Sequence, residues 1–363
     1  MGQRSPLFAA HTQAGGRMID FAGWDMPLHY GSQLEEHKTV REKAGLFDVS
    51  HMTAVDVQGE GSCAFLQKLL ANDVGRLDEG RALYTAMLND EGGVIDDLIA
   101  YRLSWGYRLV INCATREKDV RWMNLQATGH AVRLTERPEL AMLAVQGPAA
   151  RDLAASVATS RQAAMIQSLE TFQAGEADGW LIARTGYTGE DGLEISLPAA
   201  EAEPFWSRLL QAGVSPCGLG CRDSLRLEAG LNLYGNEMDE TITPFSANMG
   251  QTLAWEPADR DFIGRTALTA IQNKGGWDRL VGLIFEGRGV VRAGCPVMTE
   301  DAGTGTVTSG LFSPTLGHAI ALARVPANTG KTARVLLRGR EEEVRVTRPC
   351  FVRRGKKVPE QSS

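Results

Sequence analysis

The chain has 363 residues and a mass of 39.3 kDa, more than one hydrophobic core usually organises, so two or three domains are expected. Its net charge of -6 and pI near 5.6 argue against a general nucleic-acid binder, which would carry a basic face. No run approaches the ~18 apolar residues of a membrane span, and the N-terminus lacks an apolar signal core. The sequence therefore predicts a protein of the cytoplasm that does not act in a membrane.

The cysteines are few and scattered. The closest of the six, Cys217 and Cys221, lie in PCGLGC, and no second Cys or His pair nearby completes a tetrahedral zinc site. Free buried thiols are expected, with no metal site.

The first half predicts a compact antiparallel α+β unit over residues 53–135. Alternating apolar residues and Gly-containing turns indicate strands, and 3.6-residue periodicity indicates helices. The predicted elements are a strand at 53–59, a helix at 61–73, strands at 82–88, 94–103 and 108–113, and a helix from 115 to about 125.

The next region carries further helices and strands, and the last third differs from both. A strand over 141–148 precedes a helix that Pro148 is suited to begin, and 180–198 forms two strands around a Gly-rich loop. Helices over 202–213 and 222–230 each end at a glycine. The C-terminal third has short strands with Gly/Pro turns, which is typical of a small β-barrel.

The segment GEGSCA (59–64) imitates a dinucleotide-binding loop, since it lies between a strand and a helix. The strands that follow are hairpin-linked and antiparallel, whereas a dinucleotide fold needs parallel βαβ units. We therefore interpret it as a turn and expect neither NAD nor a flavin.

Two neighbouring acids interrupt the apolar strand GGVIDDLIAY. Strand alternation sends Asp96 and Asp97 to opposite faces, with Asp97 on the face of Ile99 and Tyr101. One interpretation is a structural pair at the hairpin, and the other is one structural and one functional carboxylate. Tyr84 and Tyr101, on neighbouring strands, would supply flat walls for a heteroaromatic ring.

Three further segments carry polar side chains that bear on function. Glu194, in the strand after RTGYTGEDG, would accept hydrogen bonds from an amino-substituted ring. Arg222, read as the start of a helix, opposes the helix dipole there, which points either to a bound carboxylate or to packing against a neighbouring domain. His51 follows Asp48 and Ser50 too closely for a catalytic triad to form within that one extended segment.

Together these segments resemble the aminomethyltransferase family, the T-proteins of the glycine cleavage system, along nearly the whole chain. The resemblance is carried by FAGWDMPLHYGS, LFDVSHM, GGVIDDLIAY, LAVQGP, RTGYTGEDGLEI, CGLGCRDSLRLEAGLNLYGNEMDE, DFIGRTAL, TSGLFSPTLG and IALARVP. It implies an α+β fold, a three-domain cloverleaf of antiparallel α+β units with a C-terminal β-barrel and a central folate cavity. The expected divisions are 1–52 plus 136–245 for a folate-binding domain, 53–135 for the domain with the catalytic Asp, 246–277 for a connecting segment, and 278–363 for the barrel.

The resemblance also implies a role for individual residues. Asp97 is similar to the family's catalytic carboxylate, Glu194 would bind the pterin, and Arg222 would pair with the glutamate tail of tetrahydrofolate. Arg292 matches an arginine near the entry of the lipoyl arm. The remaining expected folate-binding residues are Met52, Tyr84, Tyr101, Val110, Asn112 and Tyr187.

The implied cosubstrate is tetrahydrofolate, and the implied partner is lipoylated H-protein, with the P- and L-proteins as complex members and a monomeric T-protein. A folate-dependent demethylase on the same fold and a non-catalytic folate binder in iron–sulfur cluster assembly are the alternatives. The K-C-x-x-G-Q motif of the latter is missing here. Two positions depart from the family pattern, Gln251 where Trp is common and Cys221 where Ala is usual.

Overall fold

The structure is a computed structural model and describes residues 2–300 and 303–359. No helix within those residues is both long and apolar enough to cross a membrane. The α-helices of the described residues are α1 (Phe8–Gln13), α2 (Gln33–Glu42), α3 (Ser62–Leu69), α4 (Arg116–Gln126), α5 (Ala150–Val157), α6 (Ser160–Ser168), α7 (Ala199–Gln211), α8 (Leu219–Ala229) and α9 (Arg265–Lys274).

The strands are mostly short and are joined by turns in which glycine is frequent. In chain order they are β1 (Gln3–Arg4), β2 (Arg17–Phe21), β3 (Trp24–His29), β4 (Gly45–Asp48), β5 (Thr53–Gln58), β6 (Ala82–Leu88), β7 (Val94–Leu103), β8 (Gly106–Ile111), β9 (Arg133–Glu136), β10 (Leu140–Gln146), β11 (Ala174–Ala177), β12 (Trp180–Ala183), β13 (Gly192–Pro198), β14 (Ser215–Pro216), β15 (Arg279–Phe285), β16 (Pro296–Met298), β17 (Thr304–Ser313), β18 (His318–Val325), β19 (Thr332–Leu337), β20 (Arg340–Thr347), β21 (Val352–Arg353) and β22 (Lys356–Lys357).

The chain divides into two compact units. The first comprises residues 1–65, 74–84 and 98–225, and the second comprises 66–73, 85–97 and 226–363. The division falls inside β7, between Asp97 and Leu98, and inside α8, between Leu225 and Arg226.

The first unit is built on a six-stranded sheet of order β11-β12-β13-β10-β4-β14. All of its pairs are antiparallel except the short β14–β4 pair. Helices α5 and α7 pack on β10 and β13. They enclose an apolar core that contains Trp180, Phe205 and Trp206, so the apolar faces of these helices and strands are removed from water together.

A five-stranded sheet of order β6-β7-β8-β5-β9 carries the paired acids. Its β7–β8, β8–β5 and β5–β9 pairs are antiparallel, which confirms the predicted antiparallel unit. In GEGSCA, residues 59–61 form the turn after β5, and Ser62 begins α3. Gly59 in that turn has φ +115°, a conformation that glycine adopts at little cost.

The second unit contains a closed barrel of order β15-β18-β17-β16-β19-β20, which confirms the barrel predicted for the last third. Its interior is filled by small branched side chains such as Val281, Val297, Val335 and Val344, each 1% exposed or less. A packed interior of this kind is expected for a barrel of few strands.

Most predicted elements lie where the sequence put them, and β6 and β7 have the predicted bounds. Several boundaries were wrong: α7 covers Ala199–Gln211 where 202–213 was predicted, and three further boundaries differ. Helix α3 ends at Leu69 and not at residue 73, because the N–H groups of Ala71 and Asn72 donate to the Ala86 carbonyl and the Thr85 hydroxyl instead of continuing the helix. The carbonyls of Leu70, Ala71 and Asn72 accept from the Arg260 guanidinium. Strand β8 covers 106–111 where 108–113 was predicted.

The third of these further boundaries concerns Arg222. Helix α8 begins at Leu219, three residues before the predicted start, so Arg222 is its fourth residue and not its first. The sequence reading took Gly218 and Gly220 as loop residues, but the helix includes Gly220 in its first turn, where fewer intrahelical hydrogen bonds depend on it.

Candidate functional site

Three polar side chains of the first unit form a hydrogen-bonded chain that joins two of the predicted site residues. The Thr185 hydroxyl donates to Glu194 Oε2 at 2.7 Å, so its oxygen is left to accept from the Tyr101 hydroxyl at 3.2 Å. Burial, followed by the charge of Glu194, raises the pKa of Tyr101, which keeps the phenol a donor. Glu194 is half-buried, and this chain fixes one of its oxygens.

The loop that carries Thr185 is held by a buried amide. Gln146 Nε2 donates to the carbonyls of Thr185 (3.1 Å) and Leu193 (3.2 Å), and its Oε1 accepts from the Thr188 hydroxyl at 2.8 Å. Gln146 is fully buried at the end of β10. The Gly-rich loop between β12 and β13 is therefore pinned at both ends by one side chain.

Arg222 projects from α8 towards the same loop. Its guanidinium lies 4.8 Å from the centroid of the Tyr187 ring, a cation–π contact. Its Nη1 atom is enclosed and has no hydrogen-bond partner among the described residues. Burial lowers the pKa of Arg222, and the charge of Glu194 opposes that effect. A cation with an unsatisfied donor beside a carboxylate is suited to a ligand that offers both acceptors and donors.

His51 lies within the reach of the Arg222 charge. Its side chain is 6% exposed, its ring meets Phe21 edge-on at 5.3 Å between centroids, and its Nδ1 has no hydrogen-bond partner among the described residues. Burial, with the nearby charge of Arg222, lowers its pKa to about 4. Asp48 does not bind His51, because it pairs with His11 Nε2 at 2.8 Å. The prediction that the DVSH segment forms no triad is consistent with this arrangement.

The other residues expected to contact folate lie on several elements of the first unit. Met52, Tyr101 and Val110 pack in one apolar cluster of the first unit, together with Ile99. Tyr84 lies on β6, the neighbour of β7 in the sheet order, and is half-buried. Asn112 follows β8 directly, and its carbonyl accepts from the Thr115 hydroxyl at 3.2 Å.

The adjacent acids differ in exposure as alternation predicts. Asp96 is fully buried, as are its alternate neighbours Val94 and Leu98, whereas Asp97 and Ile99 are half-buried. Asp97 is thus the acid of this strand that solvent or a ligand reaches.

Two other positions noted in the sequence, Arg292 and Gln251, belong to the second unit. Arg292 is exposed in the segment between β15 and β16 of the second unit. Gln251 is exposed in a 3-10 helix, Gly250–Thr252, and donates to the Asn248 carbonyl at 3.0 Å. The central cavity implied by the resemblance and the assignment of domains stay predictions.

One group of described residues has ligand atoms close enough to bind a metal ion, namely Glu36, Cys217 and Cys221, with those atoms within 4.8 Å of one another. Both carboxylate oxygens of Glu36 already accept backbone N–H groups, from Tyr30 at 2.6 Å and Gly218 at 2.9 Å. Burial, with a hydrogen bond to Cys217, raises the pKa of Cys221 well above its usual value. The raised pKa of Cys221 favours a packed, protonated thiol at that position.

The chain matches two family models that together describe this architecture. The GCVT N-terminal domain model matches residues 7–257, and the glycine cleavage T-protein C-terminal barrel domain model matches residues 279–353. The second range contains the barrel strands β15 to β20. The fold is therefore that of a T-protein, with an α+β N-terminal part and a closed C-terminal barrel.

Individual relatives agree with this class. An aminomethyltransferase of Alcanivorax borkumensis is 57% identical over 358 residues, which cover 99% of each chain. One of Chromobacterium violaceum is 57% identical and covers 98% of each. The crystal structure of the glycine cleavage system aminomethyltransferase T from Bartonella henselae is 34% identical, has a TM-score of 0.89, and covers 95% of this chain and 97% of that one. The chain belongs to the aminomethyltransferase family of glycine cleavage T-proteins, and it is an enzyme of that class.

The sequence missed Thr185, Gln146 and the unpartnered state of His51. Thr185 is 84 positions from Tyr101 and Gln146 is 39 from Thr185, so only the pairing of distant strands brings them together. The single local signal was the unusual density of Gly and Thr in RTGYTG.

Proposed function

We propose that the protein transfers the methylene of the aminomethyl group on lipoylated H-protein to tetrahydrofolate. The products are 5,10-methylene-tetrahydrofolate, ammonia and dihydrolipoyl H-protein. Tetrahydrofolate N5 attacks the methylene carbon, the carbon–nitrogen bond to ammonia and the carbon–sulfur bond to the arm break, the arm sulfur takes a proton, and N10 closes the ring. No net oxidation takes place, so the proposed chemistry needs no NAD or flavin. It needs no metal because the leaving amine is already activated and positioning is most of the task.

The observation that carries this proposal is the Tyr101–Thr185–Glu194 chain beside Arg222. A reduced pterin presents N–H donors along one edge, and a half-buried carboxylate held in position by Thr185 is a suitable acceptor for them. Tyr84, Tyr101 and Tyr187 offer flat aromatic faces, and Met52 and Val110 offer apolar contact. Asn112 is assigned to the same ligand.

Arg222 provides the positive charge that a folate requires. Its unsatisfied Nη1 donor suits a carboxylate of the glutamate tail, because an arginine–carboxylate hydrogen bond is among the strongest polar contacts available. The stacked Tyr187 ring restricts the guanidinium to a narrow range of orientations.

Asp97 is assigned as the catalytic carboxylate. Alternation along β7 sets it on the face of Ile99 and Tyr101, and it is the half-buried member of the acidic pair. An ionised carboxylate would orient N10, strengthen N5 as a nucleophile, and stabilise iminium-like positive charge as it develops. Positioning supplies most of the remaining acceleration, because the leaving amine is already activated.

The proposed partners follow from the family. Lipoylated H-protein delivers the aminomethyl group, the exposed Arg292 is assigned to the region where its lipoyl arm enters, and P- and L-proteins complete the complex. We propose that the protein acts as a monomer in the cytoplasm.

Ammonia release from aminomethylated H-protein tests the function. With tetrahydrofolate added, the purified protein should release ammonia and form 5,10-methylene-tetrahydrofolate in equal amounts, and without it the release should be far slower. H-protein that lacks the lipoyl group is the matched control and should give no ammonia. Methyl transfer from a sulfonium or amine donor, with no ammonia from H-protein, would instead identify a demethylase.

A further inference from the structure

Several enclosed side-chain nitrogens of the described residues lack hydrogen-bond partners, and two of them, Nη1 of Arg222 and Nδ1 of His51, lie in the same surroundings within the first unit. A buried polar atom without a partner destabilises a folded protein by about 1–3 kcal/mol, and native structures contain few of them. Two in one neighbourhood are therefore better explained by a ligand that satisfies both than by packing.

The two side chains are close enough to influence each other electrostatically. The charge of Arg222 and that of Asp48 are the ones that act on His51, and Asp48 is already engaged by His11 and by the Ser50 amide. Burial and the Arg222 charge together lower the pKa of His51 to about 4, so the imidazole is neutral near pH 7. A neutral imidazole can carry its proton on Nδ1 and donate it.

We infer that His51 is a further folate-contacting residue, whose Nδ1–H and the Arg222 guanidinium donate together to an oxygen of the bound tetrahydrofolate. The oxygen belongs to a carboxylate of the glutamate tail or to the pterin carbonyl, which offer the same chemistry. An anionic or carbonyl oxygen is favoured over a ligand N–H because Arg222 attracts negative charge and offers donors only. This inference rests on the proposed function, since it names a further contact of the same ligand.

The surroundings of His51 separate a ligand contact from a packing role. Its ring contacts Phe21 edge-on, which an aliphatic side chain of similar size can replace. If His51 serves only the core, Leu is tolerated in binding and any loss appears in stability. If it binds folate, removal of the unsatisfied nitrogen leaves the fold as stable or more stable, and binding weakens.

Titration calorimetry with tetrahydrofolate, together with thermal unfolding, tests this on the full-length protein. His51→Leu should raise the Kd about 5- to 30-fold, equivalent to the loss of one hydrogen bond in a charged site, with an unchanged or raised Tm. His51→Asn, whose amide nitrogen can occupy the place of Nδ1, should stay within about threefold of the wild-type Kd. His130→Leu is the matched control, because His130 also meets a phenylalanine edge-on, Phe65 at 5.5 Å, and its variant should bind folate normally.

Tetrahydropteroate, which lacks the glutamate, distinguishes the two oxygens. If the ligand oxygen is a tail carboxylate, wild type and His51→Leu should bind tetrahydropteroate equally, whereas a pterin carbonyl would preserve the difference. An unchanged Kd for tetrahydrofolate in His51→Leu would overturn the inference while leaving the function intact. Wild-type protein that binds no tetrahydrofolate would instead reject the proposed function itself.

Discussion

Helix α8 carries two arginines four positions apart whose surroundings are opposite. Arg226 is 2% exposed and donates to Glu237 Oε2 at 2.9 Å, to the Leu231 carbonyl at 3.2 Å and to the Ser309 hydroxyl at 2.9 Å. The Ser309 hydroxyl in turn donates to Glu237 Oε1 at 2.6 Å. Arg222, in contrast, has a stacked ring and an unsatisfied nitrogen. The protein thus satisfies the hydrogen bonding of one of these identical side chains more fully than that of the other.

The difference lies in whether the protein itself completes the hydrogen bonding of a buried charge. A buried ion pair whose charged groups are hydrogen-bonded by the protein, as between Arg226 and Glu237, maintains one conformation of the fold. A buried charge with a free donor lowers stability and is retained where a ligand compensates. Asp96 and Asp97 show a related contrast, since one acid is fully enclosed and its neighbour remains accessible.

The largest effect is expected for Arg226→Met. Removal of one partner leaves the Glu237 carboxylate buried without its cation, which should lower the free energy of unfolding by about 3–5 kcal/mol. Urea unfolding followed by tryptophan fluorescence measures the shift. The double variant Arg226→Met/Glu237→Leu should recover much of the loss, because no uncompensated charge remains. A single variant as stable as wild type would contradict the structural role of Arg226.

Asp97→Asn should lower kcat by about 100-fold or more, since it removes the negative charge proposed to stabilise the transition state while it keeps the shape of the side chain. Folate binding should stay within about threefold, as measured by calorimetry. Asp96→Asn is the matched control: it changes a fully buried acid, so its loss should appear in the unfolding midpoint, with near-normal kcat in the folded fraction. Equal turnover in Asp97→Asn and wild type would remove Asp97 from the mechanism.

Arg222→Gln should weaken tetrahydrofolate binding about 10- to 100-fold, the range expected for a charged hydrogen bond. Its Tm should remain unchanged or rise, because burial disfavours the charged form of Arg222, as its lowered pKa indicates. This is the opposite of the result expected at Arg226. A marked fall in Tm with unaltered folate affinity would assign Arg222 to the fold and not to the ligand.

The sequence predicted those parts of the molecule that local patterns specify. The bounds of β6 and β7, the antiparallel pairing and the closed barrel followed from alternation and turn residues. The opposite exposure of Asp96 and Asp97 followed from the two-residue period of a strand. The family resemblance added the identity of the enzyme, which composition and spacing do not provide.

What the sequence could not predict depends on contacts between distant segments. The Arg260 guanidinium lies about 190 positions along the chain from the carbonyls after α3 that it binds. The Thr185 bridge between Tyr101 and Glu194 needs two sheets to form first. The unsatisfied nitrogen of His51 is invisible in LFDVSHM, because it is a property of what surrounds the ring and not of the ring itself.

The smallest effect concerns pH. The native pKa of His51 is lowered to about 4 by burial and Arg222, against about 6.5 in the unfolded chain, so the unfolded state binds the additional proton between these values. Stability from this residue is therefore complete above pH 6.5 and is lost as pH falls towards 4, by about 2 kcal/mol between pH 7.5 and pH 5. The urea midpoints of wild type and His51→Leu should differ little at pH 7.5. At pH 5 the midpoint of the variant should be higher relative to that of wild type than it is at pH 7.5. If the urea midpoints of the two proteins changed in parallel with pH, His51 would have an ordinary pKa. The proposal that a neutral His51 imidazole donates beside Arg222 would then be unsupported.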